Sequence, residues 1–208
     1  MESKSIGSDP FGCGRAKTKE NKCALDWGQT GINLDYKISA MNLFILRHGL
    51  AVEPGTPGYE NDAERPLTSE GKSKLRQIAA AMEELRLDFD IILSSPFKRA
   101  RQTAEIVAEE LKIEDTLEFS DSLTPQGKLS DLVEHVKRLK PLPENIMLVG
   151  HEPYLSELIS LLVCGSNNSV VVLKKGGFAK LTVTTLGVGR CAQLEWLLTP
   201  KQMGLMGN

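Results

Sequence analysis

Three short motifs, far apart along the chain, carry the residue types best suited to chemistry. They are Arg47-His48-Gly49, then Ser94-Ser95-Pro96 with Lys98, Arg99 and Arg101 just beyond, and Gly150-His151. Each follows a short apolar run that reads as a strand, and two of only three histidines in the chain stand at such ends. A guanidinium fork pairs two oxygens at once, and an imidazole adds a donor or a nucleophile. Arg47, His48, Arg99 and His151 gathered on one rim would therefore make a site for a dianionic group, with phosphate its natural ligand. Were the two histidines metal ligands, a third His, Cys or carboxylate should stand at a strand end and no arginine should repel the cation. Neither condition is met, so no metal and no cofactor are expected. Lys98, Arg99 and Arg101 open a helix that turns by about 100° per residue, so only one of them is expected to face the pocket. His135, on a helix among Glu134, Lys137 and Arg138, reads as a solvated surface residue.

Bringing these groups together needs a fold whose strand ends share an edge. From Met41 onward short apolar runs alternate with helical patterns, the signature of an α/β layered domain. Strands are read at Asn42 to Leu46, Ile91 to Ser94, Leu117 to Phe119 and Asn145 to Val149. Between them, Leu75, Ile78, Ala79, Met82 and Leu85 draw one apolar helix face, and Ala100, Ala104, Val107, Ala108 and Leu111 draw another. Further helices are read near Leu129 to Leu139, ended by Pro141 and Pro143, and from Tyr154 to Val163. Val170 to Leu173, Phe178 to Thr184 and Cys191 to Leu197 read as hairpin strands at one sheet edge. The expected fold is a three-layer α/β/α sandwich with a mostly parallel central sheet and antiparallel edge strands. In such sheets ligands collect outside the carboxyl ends of the strands, where the motifs stand.

The length of 208 residues suits one domain, or one domain and a tail. Residues 1–40 show neither helical nor strand period and are read as an extension: a cloned leader, an overlong start or a natural tail. Residues 41–208 are read as a single domain without a large cap. Lys plus Arg total 25 against 27 for Asp plus Glu, so no global field exists to gather nucleic acid or an anionic membrane. No apolar run approaches the roughly 20 residues that cross a bilayer. Cys13, Cys23, Cys164 and Cys191 form neither a CxxC pair nor a dense framework. They read as two tail thiols and two buried ones, Cys164 and Cys191, in a reducing cytoplasm.

Taken together, Leu46-Arg47-His48-Gly49, the stretch SSPFKRARQTA from Ser94 to Ala104, and VGHEP from Val149 to Pro153 resemble the three signatures of the histidine phosphatase superfamily, whose fold is phosphoglycerate mutase-like. The likeness is nearest to the small SixA-type phosphohistidine phosphatases, and RPLTSEG (65–71), LTPQG (123–127) and KKGGFAKL (174–181) extend it over Met41 to Thr199. It implies a metal-independent phosphatase in which His48 is the nucleophile and carries a transient phosphohistidine, while Arg47, Arg99 and His151 hold the phosphoryl oxygens. The nucleophile must be neutral, and a backbone carbonyl around Gly49 is the expected acceptor for its far ring nitrogen.

Esterases of this superfamily usually place an acid between the second Arg and the second His to protonate the leaving alkoxide. Here Glu118 and Asp121 are the candidate proton donors, with solvated loop carboxylates as the alternative reading. Imidazole, with a pKa of about 6.5, departs without strong proton donation. A weak or absent acid therefore suits a His-phosphorylated protein, a phosphotransfer domain or phosphocarrier, releasing inorganic phosphate. A small-metabolite phosphomonoesterase and a non-catalytic phosphate-recognition module are the alternatives. The loop Val52 to Pro66, with Glu53, Glu60, Asp62 and Glu64, borders the entrance, either as a partner contact or as an ordinary surface loop.

Overall fold

The computed structural model describes residues 40–168 and 171–207, so the reading of residues 1–40 as an extension, and of Cys13 and Cys23 as tail thiols, falls outside them but for Ala40. Six strands form one mixed sheet: β1 (Met41–Arg47), β2 (Ile91–Ser94), β3 (Leu117–Phe119), β4 (Asn145–Gly150), β5 (Phe178–Val183) and β6 (Ala192–Leu198), in the order β3-β2-β4-β1-β5-β6. The first four in that order are mutually parallel, and β5 and β6 are antiparallel additions at one edge. This is the expected three-layer α/β/α arrangement.

Alternation along β1 shows why both faces of the sheet are covered. Successive side chains of a strand point to opposite sides. Leu43 and Ile45 enter one core, with Leu132 and Val136 of α3 (Leu129–Arg138) and Leu155, Leu158 and Ile159 of α4 (Tyr154–Cys164). Phe44 and Leu46 enter the other, with Leu75 and Ile78 of α1 (Ser69–Glu84) and Ala100, Ala104 and Val107 of α2 (Lys98–Leu111). Met203 of a last helix, α5 (Pro200–Met206), joins this second core. The helices after β1 and β4 thus lie on opposite faces of two adjacent strands. Their diverging connections leave a crevice at the carboxyl ends, the switch point at which open α/β sheets bind ligands.

Some sequence expectations need correction. Residues 171–173 are irregular, not a strand, and the buried Leu173 gives its carbonyl to the Arg47 side chain instead of to a ladder. Cys164 is exposed, because α4 turns it away from the apolar neighbours that suggested burial, and Cys191 is only half-buried. His135 is half-buried, with Nδ1 3.0 Å from Ser120 Oγ. Helix α5 was not anticipated, although Thr199-Pro200-Lys201-Gln202 spells a capping box with proline in the first turn. Among the described residues no helix is long and apolar enough to cross a membrane.

The start of α1 is pressed against the loop that follows β1. Thr68 caps the helix by accepting from the Gly71 N–H at 3.0 Å, and its own N–H donates to the Leu50 carbonyl at 3.0 Å. A Cβ on Gly71 would stand 2.1 Å from that same Leu50 oxygen, a distance no pair of atoms tolerates. Gly71→Ala is expected to lower the free energy of unfolding by about 1–3 kcal/mol, the range for forced overpacking. A urea melt reads this directly, and an unchanged midpoint would show that helix and loop separate without cost.

Candidate active site

The register of β1 on β4 decides where the two imidazoles go. Arg47 lies opposite Gly150, and Ser94 of β2 lies opposite Val149, so the three strands end level. One residue further on, the His48 N–H donates to the Gly150 carbonyl at 3.1 Å and the Ser95 N–H to the Val149 carbonyl at 2.9 Å. His48 and His151 then stand with ring centroids 5.2 Å apart, and Phe97 closes the far side of His151 at 5.3 Å. Both imidazoles are buried, with 5 % and 1 % exposure. A Cβ on Gly49 would meet Leu75 Cδ1 at 2.8 Å, so any larger residue there would displace that buried leucine.

The tautomer of His48 follows from its partner. Nδ1 is 2.8 Å from the Gly49 carbonyl, and a carbonyl only accepts, so Nδ1 carries the proton. The acceptor expected around Gly49 is thus Gly49 itself. In the neutral ring Nε2 keeps its lone pair, and Arg99 Nε donates toward it at 3.3 Å. Ser95 Oγ lies 2.8 Å from His151 Nε2 and accepts from the Phe97 N–H at 3.3 Å. His151 Nδ1 and Arg47 Nε are buried without partners among the described residues, while Arg47 Nη1 donates to the Leu173 carbonyl at 2.8 Å.

Arg99 reaches the site because it is on the first turn of α2. Thr103 Oγ1 donates to the Arg99 carbonyl at 2.7 Å and accepts from the Gly49 N–H at 3.1 Å, tying that turn to the histidine loop. Of the three basic residues there, Arg99 alone turns inward. Lys98 pairs with Glu64 at 3.6 Å, and Arg101 pairs with Glu105 at 2.7 Å in the open. Arg99 Nη1 donates to the Asp62 carbonyl at 2.8 Å and Nη2 to Asp62 Oδ2 at 2.9 Å. Asp62 Oδ1 accepts from Arg65 Nε at 2.8 Å and Nη2 at 2.6 Å. One carboxylate therefore bridges two guanidiniums.

Electrostatics favour neutral imidazoles and an anionic visitor. Burial first, then the neighbouring His151 and the charges of Arg99 and Arg47, hold His48 well below the usual imidazole range against the pull of the Gly49 carbonyl. Burial and the Arg99 charge likewise lower His151 to about 3. Burial alone would raise Asp62, but the hydrogen bonds and charges of Arg65 and Arg99 outweigh it and keep the carboxylate ionised. Glu152, half-buried beside His151, is raised by burial against the opposing charge of Arg47.

The structure thus gathers Arg47, His48, Arg99 and His151. It places Asp121 in a separate groove with Ser120, Lys128 and His135, and Glu118 in a depression with Asp90 and Lys140. The neighbours Asp62, Arg65, Ser95, Thr103 and Glu152 all lie in stretches quoted from the sequence, which assigns none of them a part in the anion site. Arg65 carried a signal as the first residue of RPLTSEG. Among the described residues no three His, Cys, Asp or Glu side chains gather as a metal-binding group.

The fold is an open α/β sheet with a cationic rim at its carboxyl edge, and comparison with known proteins makes the class specific. The family model described as histidine phosphatase superfamily (branch 1) matches residues 43–124. The chain is 27% identical over 161 residues to the phosphohistidine phosphatase SixA of Escherichia coli, covering 77% of this chain and 94% of that one. It is 34% identical over 142 residues to an uncharacterized protein of Picosynechococcus, covering 68% and 84%. Among solved structures, the protein histidine phosphatase SixA complexed with tungstate superposes with a TM-score of 0.66 at 25% identity, covering 77% of this chain and 98% of that one. The chain belongs to the histidine phosphatase superfamily, and these relatives support a phosphatase activity.

The lowered imidazoles set a pH dependence. On the sequence expectation that neutral His48 is the nucleophile, kcat/KM should stay flat from neutrality down to a pH well under about 6.5, the ordinary histidine value. Arg99→Lys keeps the charge and should keep that limb in place. Arg99→Ala removes it, which raises the affinity of His48 for a proton and should move the limb to higher pH. A limb unmoved by Arg99→Ala would mean that the arginine charge does not act on the histidine.

Proposed function

We propose that the protein removes phosphate from a His-phosphorylated protein, a phosphotransfer domain or phosphocarrier of the cytoplasm, through a covalent phosphohistidine intermediate. The observation that carries this reading is the held tautomer of His48: Nδ1–H bound to the Gly49 carbonyl, with the Nε2 lone pair beside Arg99. In the first step Nε2 attacks phosphorus in line as the bond to the substrate imidazole breaks; the other nitrogen of that ring carries a proton, so the electron pair left on the departing nitrogen gives a neutral imidazole. Arg47, Arg99 and His151 meet the three equatorial oxygens, whose charge is the main thing catalysis of phosphoryl transfer must stabilise. In the second step water attacks the phosphorus on His48, which returns to the neutral imidazole as orthophosphate leaves. No strong acid is needed for an imidazole leaving group. The likeness to SixA supports the same substrate class.

Glu152 favours a second reading. A half-buried carboxyl raised by its surroundings is the kind of group that protonates an alkoxide, so a small phosphomonoester is the alternative substrate. Glu152→Gln separates the two. Hydrolysis of phosphohistidine should survive it within about twofold, whereas ester hydrolysis that depended on this acid would fall by the roughly 10²–10⁴ typical of a lost general acid.

Acid-quenched reaction with labelled phosphohistidine should trap phosphate on His48, and His48→Ala should trap none and turn over nothing. Arg99→Ala should lower kcat by about 10²–10³, the usual effect of losing one donor to a developing oxyanion. Activity retained by His48→Ala would end the covalent scheme.

A further inference from the structure

Strand β6 runs antiparallel to β5, which runs antiparallel to β1, so β6 ends at the same rim as the catalytic histidines. Helix α5 starts there, beside the opening turns of α1 and the turn at 174–177. Between these three pieces lies a cavity of about 490 Å³, a size that receives one or two side chains or a small ligand. Its floor is apolar, formed by Leu75, Ile78 and Pro200, with Leu205 at the lip. Leu205 is 72% exposed, an uncommon position for a leucine facing a ready-made hollow.

The rim carries the opposite character. Lys74, Lys175 and Lys201 line it, and among the described residues no aspartate or glutamate does, in a chain whose net charge is −2. Lys74 and Lys175 hold Glu70 and Glu53 in exposed ion pairs. Such pairs contribute at most about 1 kcal/mol, so a visiting carboxylate exchanges for them at little cost. The cavity also touches the catalytic loop. Gly49, whose carbonyl fixes His48, forms part of its wall, as does Gly176, whose N–H meets the carbonyls of Arg47 and His48 at 3.1 and 3.0 Å.

We propose that this cavity is a docking pocket for the phosphoprotein, receiving an apolar side chain flanked by carboxylates that stands near the phosphohistidine. The inference rests on the phosphohistidine-protein reading above and adds the chemistry of the partner's surface. A small metabolite reaches only the histidine cleft, whereas a protein presenting its phosphohistidine to His48 must lay neighbouring surface over this rim. An apolar anchor in a pocket, ringed by complementary charge, is how interfaces concentrate affinity and steer approach.

The test uses the full chain, free phosphohistidine, and a set of phosphohistidine peptides that carry Leu-Glu-Glu at two to eight residues from the phosphorylated position. At least one spacing should lower KM by about tenfold relative to the same peptide with Ser-Lys-Lys, the lower end of what burial of one leucine gives. Lys201→Glu and Leu205→Glu, both at exposed positions that tolerate charge, should abolish that advantage. Each should leave kcat/KM for free phosphohistidine within about twofold. Equal KM at every spacing would overturn the docking pocket, and so would variants that slow the peptide and the free amino acid alike. Failure of the unaltered protein to hydrolyse either substrate would overturn the underlying reading and the pocket with it.

Discussion

The parallel pairing of β1 with β4 is the constraint on which the site depends. Arg47 opposite Gly150 fixes the level at which both strands end, and the next residue of each is a histidine. A slip by one residue would turn every side chain of β1 to the other face and carry His48 away from His151. The apolar alternation of β1 guards against this, since a slip would exchange Phe44 and Leu46 with Leu43 and Ile45 between two cores of different shape. Core packing and catalytic geometry are therefore the same requirement stated twice.

Once the imidazoles are placed, their charge state follows from what surrounds them. Buried among arginines, neither has reason to bind a proton near neutrality. The arginines in turn need a counter-charge, because a buried guanidinium without a partner costs several kcal/mol. Asp62 supplies it for Arg99 and Arg65 together, from a side chain that remains half exposed. The loop expected only to border the entrance thus contributes the counter-ion of the site. Asp62 sits on a short 3-10 turn, Asp62–Glu64, whose Asn61 side chain caps it by accepting from the Ala63 N–H.

Much of this was legible from the chain alone, for a local reason. Strand ends announce themselves by apolar runs that stop at Arg47, Ser94 and Gly150, and residue types at such ends report on a shared rim without any knowledge of pairing. What stayed hidden was long-range or set by rotation. The link from Asp62 to Arg99 joins a loop to a helix 37 residues later and leaves no period to read. Cys164 and His135 depart from expectation because the polarity of sequence neighbours does not report a residue's own environment on a helix, which changes face within one residue. The irregular run at 171–173 resembles a strand because it is apolar and two of its residues, Val171 and Val172, are β-branched, yet the carbonyl of Leu173 is claimed by Arg47. Helix α5 was signalled by its cap and overlooked for its brevity.

That claim on Leu173 gives Arg47 a double allegiance. One nitrogen of its fork braces the segment leading into the antiparallel edge of the sheet, while its charge acts on His48. Arg99, by contrast, is fastened to a surface turn and braces no strand. Truncating Arg47 would accordingly cost a tie to Leu173 as well as a charge beside His48, whereas truncating Arg99 would release a surface turn along with its charge.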